Sequence, residues 1–379
     1  MALAIYPTDT DQPPTLHEPA TSGFQIHRYR LTQGKQAGCE LIIINSQSVC
    51  AAICPTRGMS LWRAKLDGID CEWDSPVRGP VHPCFVPISE AGGLGWLDGF
   101  DELLVRCGLR SFGAPDFDGN GKLLHPLHGS IGNLPAENVE INLSDDGERL
   151  IVSGDVYETR FLIHNLKLRV EYEFTLGQPS ITVRDTVSNI GGAATTAQLL
   201  YHINFGKPLL DAGCEFHCAA DEVVARDNRA AEDLATWNQY LGPTEGYAEQ
   251  VYFLQPVADE NGWATTVLSN PKSKQAAAVH YKTGTLPYFT LWKNTASEAT
   301  GYVTGLEPGT GFPNPRSYEE KQGRLVELQP GESRSYKLKI EATQDPQAIR
   351  KWLEKINLSQ GNLAAKQTSF NDAWCTPRS

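Results

Sequence analysis

Leu166-Lys167-Leu168-Arg169-Val170-Glu171-Tyr172-Glu173-Phe174-Thr175-Leu176 alternates apolar and polar residues without a break. Successive side chains of a strand point to opposite faces, so this run offers one face to a core and one to water. The turn Gln178-Pro179-Ser180 follows, and Ile181-Thr182-Val183-Arg184-Asp185-Thr186-Val187 repeats the pattern. Towards the other end of the chain, Tyr336, Leu338 and Ile340 alternate with Lys337, Lys339 and Glu341. Many short runs of this kind, punctuated by Gly, Pro and Asn, predict an all-β fold, a large antiparallel β-sandwich.

Helix signals are few. Asp345-Pro346 supplies an N-cap and a first-turn proline, and Ile349, Trp352, Leu353 and Ile356 form a helical stripe behind them. A weaker helical stretch is expected around Glu232–Leu241, and a short helical turn within Gly99–Cys107. The first fifteen or so residues and the tail after Gly361 are polar and unpatterned, which predicts peripheral segments. No linker rich in Pro, Gly or Ser divides the middle. The expectation is one domain over residues 1–379, with its core at about 20–360.

Composition narrows the function classes. At 40% hydrophobic residues, the 379-residue chain can bury a core without disulfide support. A net charge of −12 argues against nucleic acid or an anionic membrane as partner, because phosphate binding needs basic patches. The first 34 residues lack the apolar segment of a signal peptide, and no apolar run approaches membrane-spanning length. A cytoplasmic location is expected. Nine cysteines at irregular spacings read as free thiols. Cys214 and Cys218 have a loose metal-ligand spacing with no second Cys/His pair nearby, so no metal site is expected. Neither a phosphate-binding glycine loop in strand–helix context nor a Gly-x-Ser-x-Gly elbow is present, which disfavours nucleotide-dependent enzymes and serine hydrolases.

Two ionisable residues interrupt apolar strands. In Leu199-Leu200-Tyr201-His202-Ile203-Asn204-Phe205, period two places His202 and Asn204 on one face and leaves the other apolar. Such a face is either solvated or functional. In Gly301-Tyr302-Val303-Thr304-Gly305-Leu306-Glu307-Pro308, Glu307 shares its face with Gly305, which leaves room for close approach. An imidazole and a carboxylate are an acid/base pair if the fold joins them; apart, they are a polar strand residue and an edge carboxylate. His125 and His128, in Leu124-His125-Pro126-Leu127-His128-Gly129-Ser130, sit in a loop, with His128 better placed to approach a ligand. Arg57, in Pro55-Thr56-Arg57-Gly58-Met59, is at a strand end and could bind hydroxyl or carboxylate oxygens or make a structural salt bridge. Trp292-Lys293 ends another strand; the tryptophan suits either a sugar ring or a core.

In this order the motifs Arg57-Gly58-Met59, Leu127-His128-Gly129, Tyr201-His202-Ile203-Asn204 and Gly305-Leu306-Glu307-Pro308-Gly309-Thr310 resemble the aldose 1-epimerases, the galactose mutarotase family, over roughly residues 50–343. Ser130 stands where the family loop has its second glycine, Asn204-Phe205 departs from the usual Tyr-Phe-Asn order, and Pro308 follows the glutamate. The resemblance implies a mutarotase-like supersandwich with a groove on its concave sheet, binding a small-molecule carbohydrate without metal or cofactor. It implies Glu307 as general base on the anomeric hydroxyl and His202 as general acid on the ring oxygen. His128 and Arg57 would bind sugar oxygens, with Asn204 and Lys293 as further candidates. Asp211 is one candidate for the family's substrate-binding aspartate. Other readings are a carbohydrate-binding protein or sensor of the same fold, and another isomerase or lyase acting on a modified sugar.

Overall fold

The computed structural model describes residues 15–16, 23–362 and 364–377. These form two large sheets packed face to face, one of fourteen strands, antiparallel but for one edge pair, and one of eight antiparallel strands. The alternating run is the strand His164–Thr175 of the smaller sheet. It pairs with Arg149–Arg160 on one side and Ser180–Asn189 on the other. Leu166, Leu168, Val170, Tyr172 and Phe174 are completely buried and meet the inward residues of the larger sheet, among them Leu199, Tyr201, Ile203 and Phe205. Burying one such side chain stabilises the fold by about 1.5–3 kcal/mol, so this stripe explains why the two sheets stay together. The sandwich expected from the alternation is what forms.

One ion pair crosses the core. Arg106, on Leu104–Leu109 of the larger sheet, sets Nε and Nη2 on the carboxylate of Asp185 in the smaller one, at 2.5 and 3.0 Å. Its Nη1 donates to Met59 O and Tyr172 Oη. All three nitrogens of this buried guanidinium therefore have acceptors, and those on Asp185 and Tyr172 lie across the layers.

The other face of the larger sheet carries the site. Here Leu104–Leu109, Thr195–Phe205, Tyr302–Gly309, Tyr288–Thr295, Gln250–Pro256 and Ala220–Ala225 lie side by side in that order. The strand Thr195–Phe205 is buried on both faces from Ala197 onward. A covering layer lies over it: Trp73, Trp96, Phe100 and Phe112 pack on Val105, Cys107, Leu200 and Val303.

Three local expectations are corrected. Within Gly99–Cys107, only a short 3-10 helix ends at Gly99, and Leu104–Leu109 is a strand paired with Thr195–Phe205. Its apolar residues are claimed by the two faces of a buried sheet. Around Glu232–Leu241, helix ends at Glu232 and a 3-10 turn covers Leu234–Thr236. The rest is a loop whose carbonyls at Trp237 and Gln239 accept from Lys293 Nζ. The tail after Gly361 is integrated: Lys366–Thr368 pairs in parallel with Ala220–Ala225, and Cys375 is fully buried. The helix Pro346–Gln360 is capped by Asp345 as expected, its side chain accepting from Gln347 N. The first fourteen residues lie outside the described ones. No helix among the described residues is long and apolar enough to cross a membrane, and no cysteine forms a disulfide.

Candidate active site

Register brings the two ionisable strand residues together. Thr195–Phe205 and Tyr302–Gly309 are antiparallel neighbours, with Ile203 opposite Leu306 and Asn204 opposite Gly305. Continuing that register sets His202 across from Glu307 on the face turned away from the core, within cross-strand reach. His202 Nε2 lies 3.1 Å from Glu307 Oε1. The line between them is off hydrogen-bond geometry, and Oε1 has no hydrogen-bond partner. Both residues are almost completely buried, at 4% and 2% exposure. An unsatisfied carboxylate oxygen at that depth is costly, which marks it as held ready for a partner.

Gly305 makes the pairing sterically feasible. A Cβ there would fall inside contact distance of Glu307 Oε1 and 3.1 Å from His202 Cε1. The space beside this glycine is filled by the pair itself.

Burial acts on the two groups in opposite senses. It pushes the Glu307 carboxyl well above the ordinary range; nearby Glu249 adds to the rise and Arg226 opposes it. It pushes the His202 imidazole well below its ordinary value, reinforced by His128 and opposed by the hydrogen bond to Asn204. Both shifts favour the uncharged forms of the two groups.

The surroundings are aromatic. His202 lies 5.4 Å from Trp292, 5.1 Å from Phe100, 6.0 Å from Trp96 and 5.3 Å from His128, ring centre to ring centre. His128 has a left-handed backbone, φ 57°, and its Nδ1 donates to Phe112 O at 2.8 Å. That leaves Nε2 as a bare acceptor, and burial holds the imidazole at about 4, so it stays neutral. The next residue must be glycine, because a Cβ on Gly129 would strike the carbonyls of Ser111 and Gly108. At the rim, Trp292 Nε1 donates to Glu249 Oε2 (2.7 Å), and Glu249 pairs with Arg226, which also holds Asp227.

Of the expected site residues, His202, Glu307 and His128 converge. Asn204 joins them at 2.6 Å from His202 Nδ1, but as a support for that ring. Arg57 does not reach the site face. It is fully buried, with Nε on Glu102 Oε1 (2.5 Å), Nη1 on Val81 O and Asn133 Oδ1, and Nη2 on Gly99 O. Lys293 follows Trp292 and so points to the opposite face of the sheet, where it holds the 237–239 loop beneath Tyr240 and Tyr252. Asp211 lies in a turn beside Ala212 N and Lys272, and makes no contact with the pair. Trp96, Phe100, Glu249 and Arg226 were not singled out from the sequence. Glu249 precedes the strand Gln250–Pro256, whose pairing of Val251 with Trp292 carries it to the rim; only register, which requires the fold, reveals it. Among the described residues, no group of three or more His, Cys, Asp or Glu is arranged to hold a metal ion.

The two-sheet sandwich is the galactose mutarotase-like fold. The chain belongs to the family described as a domain of unknown function, DUF4432, which matches residues 36–342. It is similar to a Klebsiella pneumoniae protein described as a "putative aldose 1-epimerase", with 35% identity and a TM-score of 0.89, covering 92% of this chain and 90% of that one. It shares its fold with a galactose mutarotase-like protein of Clostridium acetobutylicum at 15% identity and a TM-score of 0.58, covering 85% and 99% of the two chains. It shares it also with the galactose 1-epimerase of Lactobacillus acidophilus at 13% identity and a TM-score of 0.51, covering 84% and 98%. Among curated proteins none matches. The likeness read from the motifs is borne out.

Proposed function

We propose that this protein interconverts the anomers of a free sugar or simple sugar derivative by acid/base-catalysed ring opening and closure. The observation that carries this reading is the 3.1 Å approach of His202 Nε2 to a Glu307 carboxylate oxygen that lacks a hydrogen-bond partner. Ring opening removes a proton from the anomeric hydroxyl and delivers one to the ring oxygen. Those two oxygens share one carbon, so a donor and an acceptor set side by side can serve both. Trp292 and Phe100 offer apolar surface to a sugar ring. In this reading His128 Nε2 and the rim pair Glu249 and Arg226 bind hydroxyls. Similarity to a protein described as a "putative aldose 1-epimerase" supports the same reading.

The rim favours an uncharged sugar. Arg57 is spent inside the protein, Lys293 faces the other way, and Arg226 is already neutralised by Asp227 and Glu249. A phosphate or carboxylate on the substrate would find no unpaired cation among these.

Saturation-transfer NMR across a panel of free sugars, comparing wild type with His202→Ala and Glu307→Gln, tests the proposal. Wild type should accelerate anomer exchange, and each variant should lower the rate by about 10²–10⁴-fold. Exchange at the wild-type rate in both variants would remove the pair from the reaction. Binding of several sugars with no acceleration would make this a carbohydrate-binding protein.

A further inference from the structure

Thr290 stands beside the pair. Strand register sets it across from Glu307 on one side and across from Phe253 on the other. Two residues on, Trp292 lies 5.4 Å from the His202 ring, so period two puts the Thr290 side chain on the face that carries the pair. His202, Glu307 and Thr290 therefore form a row over neighbouring strands, with Val105 beyond His202 at one end and Phe253 beyond Thr290 at the other. Along its own strand and across to its neighbours, Thr290 is flanked on this face by the aromatic Tyr288, Trp292 and Phe253 and by Glu307. Thr290 is 1% exposed, and its Oγ1 has no hydrogen-bond partner among the described residues. A buried hydroxyl left so is costly, and a valine would fill the same space without that cost.

We propose that Thr290 holds the anomeric oxygen of the sugar together with Glu307. This rests on the epimerase reading above and adds a residue to that site. Thr290 and Glu307 are cross-strand neighbours, whose Cβ atoms stand about 4.5–5.5 Å apart, and each brings a buried polar atom without a partner. One hydroxyl seated against both satisfies both: it donates its hydrogen to the carboxyl and accepts one from Oγ1. The anomeric hydroxyl can do this and the ring oxygen cannot, because a ring oxygen has no hydrogen to donate. The order of the strands makes the same assignment. His202 lies on the far side of Glu307 from Thr290. Of the two oxygens on the anomeric carbon, the ring oxygen therefore goes to the His202 end of the row and the anomeric oxygen to the Thr290 end. As the anomeric hydroxyl gives up its proton, its oxygen gains negative charge before it becomes the carbonyl oxygen of the open chain. A donor already bonded to that oxygen stabilises the charge.

The test uses Thr290→Val, which keeps the shape and removes the hydroxyl, and Thr290→Ser, which keeps the hydroxyl. The probes are glucose, galactose and xylose, each set against its anhydro alditol, which lacks only the anomeric hydroxyl. Binding is read by calorimetry and anomer exchange by saturation-transfer NMR. Wild type should bind at least one sugar more tightly than its anhydro counterpart. Thr290→Val should weaken that sugar about tenfold, leave the anhydro alditol unchanged, and slow exchange by about 10–100-fold. Thr290→Ser should recover most of both losses. Without sugar, Thr290→Val should melt no lower than wild type, because the fold loses no hydrogen bond. A loss shared equally by sugar and anhydro alditol would place the hydroxyl against another part of the ring, and an unchanged affinity for the sugar would remove it from the site; either result overturns the proposal. So does a wild type that favours none of these sugars over its anhydro counterpart. So does a melting temperature lowered in Thr290→Val and restored in Thr290→Ser, the mark of a hydrogen bond within the fold. If sugars bind but none is accelerated, the epimerase reading fails, while the comparison of sugar with anhydro alditol still decides the role of Thr290.

Discussion

At the residue scale, the site depends on a residue with no side chain. Gly305 leaves the volume in which the Glu307 carboxylate stands beside His202. Gly305→Ala would press a methyl group against the far end of Glu307, and the carboxylate would swing away from Nε2. Because the displaced group is a flexible side-chain tip, the backbone need not move. We expect a drop of about 10²-fold in kcat, the cost of misplacing a reacting group, with the melting temperature within a few degrees of wild type. A variant of full activity would show that the observed spacing is not the one used. The pair itself was legible in the sequence: an ionisable residue on an apolar strand stands out, and period two assigns its face. Arg57 was not legible in the same way, because an arginine at a strand end looks alike whether its donors go to a ligand or to Glu102, Asn133 and two carbonyls.

At the element scale, the C-terminal segment behaves as part of the fold. Lys366–Thr368 extends the larger sheet at Ala220–Ala225. Beyond it Trp374 packs 4.9 Å from Phe312, Cys375 is buried, and the carbonyls of Ala373 and Trp374 accept from Arg324 and Asn314. Phe312 in turn stacks on Phe253, on the strand next to Trp292. Removing residues 362–379 would uncover this aromatic cluster and leave Arg324 and Asn314 short of acceptors. A loss of at least about 3 kcal/mol is expected from burial and hydrogen bonding together, read as a lower urea midpoint. An unchanged midpoint would show that the tail only rests on the surface. The sequence hid this element because the segment has no periodicity: it is held by single anchors and by carbonyls, which carry no residue signature. Conversely, Gly99–Cys107 and Glu232–Leu241, where helix was expected, take their conformation from sheet pairing and from the Lys293 clamp. Lys293→Met keeps the length of that side chain but leaves the carbonyls of Trp237 and Gln239 without their donor. It should cost about 1–3 kcal/mol in stability while leaving KM unchanged, because Lys293 lies across the sheet from the pair; a large rise in KM would contradict that placement.

At the scale of the whole molecule, the sandwich class followed from alternation alone, because a period of two leaves each strand one face to bury. That the face of His202 would be covered and not solvated did not follow, since an alternating strand does not announce the aromatic layer that buries Thr195–Phe205 on its second face. Building a site beneath that layer ties global stability to pH through groups kept uncharged. His128 is held at about 4 by burial, and His202 is displaced downward in the same sense. For such histidines the unfolded chain takes up protons first, so their contribution is complete above about 6.5 and is lost as pH falls through the depressed native value. For His128 a displacement from 6.5 to about 4 amounts to about 3 kcal/mol if fully expressed. Glu307 acts oppositely. Its native value is raised, so its favourable contribution is complete below about 4.5 and disappears as pH rises through the native value. Between pH 6.5 and 4.5 the two effects oppose one another. Urea unfolding across that window should therefore decline more gently in His128→Gln than in wild type, because the proton uptake that drives the decline is gone. The decline should steepen in Glu307→Gln, which lacks the compensating carboxyl. Parallel curves for all three proteins would mean that these groups are solvated in the native state, and the buried His–Glu arrangement would have to be abandoned with them.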